Sequence, residues 1–571
     1  MAGPGERLTE SITRRRAALE MRFAPWNPLT LHGALDAAAV EFGSQPFVIT
    51  DERQWTYAET VDWSKRIAAG LARRGVRAGD KVAIILGNYP EFVALKYAIS
   101  RLGAVAVPLN TLNRRDELRY LLEQSDSVLL VTMDSFRGND YLRALDEIAP
   151  GWEQEAGGAA LPRLRDIIVF PTGEAEPRAG AALFESLDDG SGAEEAAIDP
   201  ASVCDIIYTS GTTGPPKGVM LTHDMVTRTA FGGAYSRAFD DGQRIIFALP
   251  MFHVYGYVEG MLAVPWVGGA IIPELRFDAE AMLRAIERHR ATDALLIPAM
   301  TLALIDAARA GNHDLSSFRF ALSSGARAPE RVWREITDVL GVSEITTGYG
   351  MSETTATTML TSPDDPFERL LTTNGRPRDV GPAGDPALGG KMVVYQAVDE
   401  QTGEPVPVGE IGELVASGPG VTAGYYNKPE ATAAAFDRRG WLKTGDLGRL
   451  DADGYLTLVG RSKESFRCGG EQVLPTEIED LFTSVPEIVQ AQVVPIPDER
   501  MGEVGVAFIV PAPGKSVDLE ALKALAADRL ARFKVPRHFL IVDESVIPTT
   551  ASGRARKFLL AEKAMTMLEL S

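Results

Sequence analysis

Asp205-Ile206-Ile207-Tyr208-Thr209-Ser210-Gly211-Thr212-Thr213-Gly214-Pro215-Pro216-Lys217-Gly218 is an apolar run that opens into a stretch of glycines, hydroxyl side chains and one lysine. The pattern reads as a strand feeding a phosphate-binding loop. Glycine lets backbone approach an anion closely, hydroxyls and amides donate hydrogen bonds, and lysine supplies a point charge. The Gly-x4-Gly-Lys-Ser/Thr spacing of a Walker loop is absent. A loop of this composition standing alone is equally an ordinary surface turn, so its meaning depends on the rest of the chain.

Upstream, KVAIILGN from Lys81, FVALKYAISRLG, AVAVPLN and ELRYLLEQSDSVLLVT alternate β-branched apolar runs with helical periodicity. That is the rhythm of βα units around parallel sheets. It returns in RIIFALP from Arg244 and AMLRAIERHRATDALLIPA from Ala281. Between about Pro150 and Pro200 the chain is rich in Gly, Ala and Glu, and apart from DIIVF at Asp166 it is weakly periodic, so it reads as a largely exposed excursion without chemistry. After Lys391 strands and turns dominate, predicting a hairpin-rich, barrel-like module. From about Ser462, TEIEDLF and LEALKALAADRLARF read as helices and AQVVPI, GVAFIVP and HFLIVD as strands of a compact α+β domain. The expected class is α/β: a large N-terminal domain of parallel sheets with a β-rich part, and a small α+β C-terminal domain.

A chain of 571 residues with 24% charged and 45% hydrophobic side chains divides into more than one domain, and its net charge of −20 opposes any broad attraction to nucleic acid or anionic lipid. An anionic ligand therefore needs a local basic site. Only Cys204 and Cys468 are present, which excludes a disulfide framework or a cysteine metal site and favours a reducing cytoplasm. The first 23 residues lack the apolar core of a secretory leader. The apolar stretch 260–273 is short and broken by Pro265, Gly268 and Gly269, so a soluble protein without a transmembrane segment is expected.

Four further segments give the loop its meaning: Gly348-Tyr349-Gly350-Met351-Ser352-Glu353, Trp441-Leu442-Lys443-Thr444-Gly445-Asp446, Gly460-Arg461-Ser462-Lys463-Glu464, and Gly469-Gly470-Glu471 followed by Pro475-Thr476-Glu477-Ile478-Glu479. Together and in this order they resemble the signatures of the adenylate-forming superfamily: acyl- and aryl-CoA synthetases, peptide-synthetase adenylation domains and luciferases. The resemblance implies ATP or AMP, CoA and Mg2+. It assigns nucleotide contacts to Thr209, Ser210, Gly211, Thr212, Thr213, Gly214 and Lys217, to Gly325 and Ala326 in the Ser323-to-Pro329 loop, to Tyr349, Gly350 and Ser352, and to Asp446 and Arg461. Tyr349 would pack on adenine, Glu353 would hold Mg2+ and Asp446 would bind both ribose hydroxyls. Each has a plainer reading: Glu353 as a solvated loop carboxylate, Asp446 as a turn cap, Tyr349 as core. The glycines flanking Tyr349 favour a flat ligand lying close to the backbone.

Pro250-Met251-Phe252-His253-Val254-Tyr255-Gly256 resembles the family's acyl-pocket segment, with His253 gating the pocket and taking no acid–base role. No aspartate stands there to meet an amino acid's ammonium, and a sizeable apolar acid, fatty, aryl or polycyclic, is favoured. The resemblance places the N-terminal AMP- and acyl-binding domain at 1–460, with its β-rich part at about 391–460, the hinge at 461–463 around Lys463, and a mobile C-terminal domain at 464–571, with Gly469 near its start among the catalytic residues.

The departure is at Pro548-Thr549-Thr550-Ala551-Ser552-Gly553-Arg554-Ala555-Arg556-Lys557. Arg554 stands where the family's catalytic lysine bridges carboxylate and phosphate, and Lys557 falls on a second basic position. Lysine is a compact rotatable charge and arginine a planar fork, so the two are not interchangeable between close-packed anions. Losing one aligned donor at developing charge costs ~3–4 kcal/mol, or roughly 10²–10³ in rate. The reading is an enzyme poor at forming acyl-AMP yet able to convert a supplied acyl-AMP, provided by a separate adenylating enzyme, to acyl-CoA. A complete synthetase, a carrier-protein acceptor and an acyl-nucleotide-binding regulator remain as alternatives.

Overall fold

The computed structural model describes residues 4–173, 178–190, 197–209, 215–325, 330–468, 471–498, 500–550 and 554–568. Two seven-stranded sheets form the body. In the first, the strands run in the order Lys217–Thr222, Val203–Thr209, Val105–Pro108, Lys81–Ile85, Ser127–Met133, Asp166–Phe170 and Ala182–Leu183. All neighbours are parallel except the first pair, which forms a hairpin. The second runs Glu344–Thr346, Phe320–Ser323, Asp293–Leu296, Arg244–Phe247, Ala270–Pro273, Pro46–Ile49 and Gln54–Thr56, again parallel up to its edge hairpin.

Local chemistry starts the helices where the sequence signals them. Thr56 and Glu59 form a capping box at Tyr57–Arg73, and Pro90 and Pro298 open Pro90–Arg101 and Pro298–Ala310, where a missing N–H leaves nothing unsatisfied. Pro90–Arg101 is buried along almost its whole length, Lys96 included. The Lys96 ammonium pairs with Asp205, which also accepts from the Tyr257 hydroxyl at 2.9 Å. A buried charge pair is strongly destabilising when only one partner is removed, so this contact fixes the strand that feeds the phosphate loop.

The segment 150–200 departs from its reading as an exposed excursion. Trp152, Leu161, Leu164, Phe184 and Leu187 are buried, and Asp166–Phe170 is an interior strand. The turn Phe184–Leu187 lies so close to Tyr57–Arg73 that a Cβ on Gly70 would fall 2.1 Å from the Leu187 carbonyl. Isolated apolar anchors in a Gly/Ala background have no period, which is why alternation rules pass over them.

Beyond the parallel sheets lie a three-stranded antiparallel sheet (Gly348–Met351, Ala356–Leu360, Arg376–Pro377) and a four-stranded one (Val394–Val398, Gly412–Ser417, Leu442–Leu450, Leu456–Arg461). The C-terminal part has its own core, from Phe466 to Ala564. Its sheet runs Glu471–Val473, Phe466–Cys468, Gly502–Pro511, Ile488–Asp498, with His538–Ile541 parallel on Gly502–Pro511. The helices Pro475–Thr483, Leu519–Arg529 and Lys557–Met567 complete it. The fold is mixed α/β, with parallel sheets in a large N-terminal part and a small C-terminal domain. Among the described residues no helix is long and apolar enough to cross a membrane.

Candidate active site

The phosphate hairpin places Thr209 directly opposite Lys217 and Tyr208 opposite Gly218. Ser210, Gly211, Thr212, Thr213 and Gly214 lie outside the described residues. The flanks are braced by tyrosines: Tyr208 hydrogen-bonds Gln124, and the Tyr120 hydroxyl donates to the Pro216 carbonyl at 3.1 Å. The Lys217 ammonium sits 4.8 Å from the centre of the Tyr425 ring.

The turn Ser352–Thr354 brings Glu353 to the same place. Its carboxylate accepts from the Tyr425 hydroxyl at 3.0 Å, and burial pushes its pKa up against the pull of Tyr425, Arg461 and Lys217. Thr355 and Ala356, just after it, both hold left-handed backbone (φ 59° and 75°). Such residues cost of order 1 kcal/mol each and persist only where neighbours fix them; here the Thr355 hydroxyl donates to the Gly420 carbonyl at 2.8 Å. Ser352 is buried at the head of the turn.

Asp446, 6% exposed, accepts the Tyr349 hydroxyl at 2.7 Å on one oxygen and Arg461 Nε at 2.8 Å on the other. Asp446 and Arg461 face each other across adjacent strands. Tyr349 is itself buried, edge-on to Tyr395 at 5.8 Å. The neighbouring glycines have a reason other than a flat ligand. A Cβ on Gly350 would fall 1.7 Å from the Ala356 carbonyl and one on Gly348 2.4 Å from that of Met359, so they serve the hairpin's own close packing.

Gly325 has φ 97° at the end of the strand Phe320–Ser323, with Ile297 3.5 Å from where its Cβ would be, and Ser324 donates to the Gly348 carbonyl at 2.6 Å. Ala326 lies outside the described residues. His253 is half-buried just before the π-helical turn Tyr255–Met261, its Nδ1 accepting from the Tyr255 N–H at 3.3 Å. Desolvation lowers its pKa to about 4, so it is neutral at physiological pH.

The C-terminal domain brings Arg554 to the turn that follows Arg461. Lys463 lies in the turn Ser462–Glu464, and Gly469 is outside the described residues. Arg554, 39% exposed, pairs through Nη2 with Glu464 at 2.7 Å. Partial burial and the like charge of Arg461 lower its pKa, opposed by Glu464 and Asp446. Lys557, 12% exposed, is committed elsewhere: its ammonium is 2.7 Å from Glu479 and 3.5 Å from Glu464. Burial alone would raise Glu464, but Lys557, Arg554 and Arg461 together hold it below its ordinary value.

The structure thus links Lys217 to Glu353 through Tyr425, and Tyr349 and Arg461 to Asp446, with Arg554 paired to Glu464 three residues beyond Arg461. Sequence reasoning missed Tyr425 and the pairing of Glu464; the aromatic pair in Gly424-Tyr425-Tyr426-Asn427-Lys428-Pro429, set between turn residues, is the signal that could have found the first.

The family model described as AMP-binding enzyme matches residues 35–426, and that of the AMP-binding enzyme C-terminal domain matches 477–554. The chain belongs to the AMP-binding, adenylate-forming enzyme family. Among similar proteins is the 3-[(3aS,4S,7aS)-7a-methyl-1,5-dioxo-octahydro-1H-inden-4-yl]propanoyl:CoA ligase of Mycobacterium tuberculosis, 33% identical over 93% of this chain and 98% of the relative. A feruloyl-CoA synthase of an Amycolatopsis species is 34% identical over 88% of this chain and 92% of its own. Of solved structures, the o-succinylbenzoate CoA synthetase MenE of Bacillus subtilis with its acyl-adenylate is similar at a TM-score of 0.75 and 29% identity, covering 92% of this chain and 97% of that one. This adenylate-forming enzyme is of the acyl-CoA synthetase type, a family that works through acyl-AMP.

Proposed function

We propose that the chain makes an acyl-CoA thioester from a bulky apolar carboxylic acid and that, of the two half-reactions, it mainly carries out the second, converting acyl-AMP and CoA to acyl-CoA and AMP. The observation that carries this reading is Arg554 in the lysine's position, with Lys557 held between Glu479 and Glu464 and so not free to take the lysine's part. In this reading Lys217 and Thr209 hold phosphate oxygens, and Asp446 takes the ribose hydroxyls while Tyr349 and Arg461 fix its two oxygens. The CoA thiol gives its proton to solvent, its sulfur forms a bond to the acyl carbonyl carbon, the carbon–oxygen bond to phosphate breaks, and AMP leaves with that electron pair. Rotation of the C-terminal domain, 464–571, about Lys463 swings Arg554 out for this step. A separate enzyme supplies the adenylate.

Mg2+ fits the residues present. Glu353 offers a buried hard oxygen facing a phosphate hairpin, and among the described residues no cluster of three or more His, Cys, Asp or Glu side chains could hold a metal unaided. The ion therefore needs phosphate oxygens and water to complete its shell, as Mg2+ prefers. When bound it would neutralise charge on the pyrophosphate.

The choice of a bulky apolar acid draws support from the relatives named for a bicyclic propanoate and for ferulate. One observation favours a complete synthetase instead: Arg554 is held by Glu464, three residues beyond the Arg461 that grips Asp446, which would leave a positive charge on the adenylate side of the domain boundary. Single-turnover assays of each half-reaction, with a bicyclic propanoate, ferulate and a medium-chain fatty acid and their synthetic acyl-AMPs, decide the matter. The expected result is rapid thioester formation from an acyl-AMP and an adenylation rate roughly 10²–10³ lower. Brisk ATP–pyrophosphate exchange with the same acid would refute the proposal.

A further inference from the structure

We propose that Tyr425 is the positioning residue that fixes Glu353 against Lys217, and so sets how the site takes a metal-bound triphosphate. The inference rests on the reading of Glu353 as the Mg2+ ligand. Residues 420–426 run as a strut between two parts of the site. On one side Met220 N–H donates to the Gly424 carbonyl at 3.2 Å, Tyr426 N–H to the Gly218 carbonyl at 2.8 Å, and the Thr422 hydroxyl to the Met220 carbonyl at 2.7 Å. These contacts tie the strut to the strand that leaves the phosphate loop. On the other side Thr422 N–H donates to the Glu353 carbonyl at 2.8 Å and the Thr355 hydroxyl to that of Gly420 at 2.8 Å, tying it to the turn that carries the metal carboxylate.

Tyr425 is the one side chain of the strut that reaches both functional groups. Its hydroxyl donates to Glu353 Oε1 at 3.0 Å, and its ring face receives the Lys217 ammonium at 4.8 Å. The phenol supplies a neutral donor to one oxygen of Glu353. A hydrogen bond on Oε1 fixes the rotation of the carboxylate, so that Oε2 takes one direction relative to the phosphate hairpin. The ring meanwhile limits where Lys217 can swing, at no charge cost. A tyrosine that merely fills a core needs neither contact, and its loss would lower stability without changing the metal dependence of nucleotide binding.

Calorimetry of ATP with and without Mg2+, and of AMP, on the full-length wild type, Tyr425→Phe and Tyr425→Leu tests this, with thermal melts as a control for folding. Tyr425→Phe keeps the ring and loses the donor. Its AMP affinity should stay within about twofold, while the Mg2+-dependent gain in ATP affinity falls about tenfold, the scale of one charge-assisted hydrogen bond. Tyr425→Leu should also weaken ATP binding without Mg2+, since Lys217 loses its seat. An undiminished Mg2+ gain in Tyr425→Phe overturns the inference about Tyr425 alone. A wild type whose ATP binding is indifferent to Mg2+ overturns the Glu353 reading and this inference with it.

Discussion

Asp446 is engaged on both oxygens in the protein alone, by the Tyr349 hydroxyl and by Arg461. A carboxylate has about four lone-pair directions, so two remain for a pair of ribose hydroxyls, and the two existing donors hold the group rigid while it waits. Asp446→Asn removes the charge and turns one oxygen into a donor, which either opposes the Arg461 donor or takes the place that accepted from the Tyr349 hydroxyl. AMP affinity should fall about ten- to a hundredfold by calorimetry, from the loss of a charge-assisted bond worth ~1.5–3 kcal/mol. An affinity unchanged within twofold would make Asp446 the simple turn cap that its place beside Gly445 also allows. At this scale the family resemblance names Lys217, Glu353, Asp446 and Arg554, one from each of four motifs far apart in sequence, and their contacts run through Tyr425, Arg461 and Glu464. It could not name Tyr425 or the Glu464 pairings, since those depend on which surfaces of distant elements meet. Nor does the sequence show that Gly348 and Gly350 are also required by the close approach of the partner strand.

The elements beneath the site carry a titration. His223 opens the helix His223–Ser236, and its Nδ1 accepts the Leu31 N–H at 3.2 Å, which fixes the neutral tautomer with its proton on Nε2. Burial lowers its pKa to about 4. The unfolded chain, with a histidine pKa near ~6.5, binds the proton first as pH falls. The contribution is therefore complete above about pH 6.5 and is lost progressively down to about pH 4. Relative to His223→Asn, which keeps an acceptor for Leu31 but cannot titrate, the wild type should lose ~2–3 kcal/mol between about pH 7 and pH 4.5 in denaturant melts. A parallel pH dependence in the two proteins would contradict it. The sequence does not reveal this, because the Leu31 N–H that His223 accepts lies 192 residues away. Element type was legible wherever period and caps agreed, as in Lys81–Ile85, Pro90–Arg101 and Pro475–Thr483. It was lost between 150 and 200, where single anchors such as Trp152 and Leu187 do the packing.

Across the whole molecule, two bodies with separate cores meet at the stretch from Arg461 to Glu464, and charges from both converge there. Arg461 grips Asp446 from the strand before the turn, while Glu464, the last residue of the turn, holds Arg554 and Lys557. Movement about Lys463 would carry the Arg554 loop away from Asp446 while leaving the Glu464 contacts intact, so the identity of residue 554 should matter to one half-reaction only. The most direct test is Arg554→Lys, measured in both half-reactions with one acid and its synthetic acyl-AMP. The account predicts acyl-AMP formation from acid and ATP rising roughly 10²–10³-fold, with thioester formation from acyl-AMP and CoA unchanged within a few-fold. Equal adenylation rates in the wild type and Arg554→Lys would contradict it.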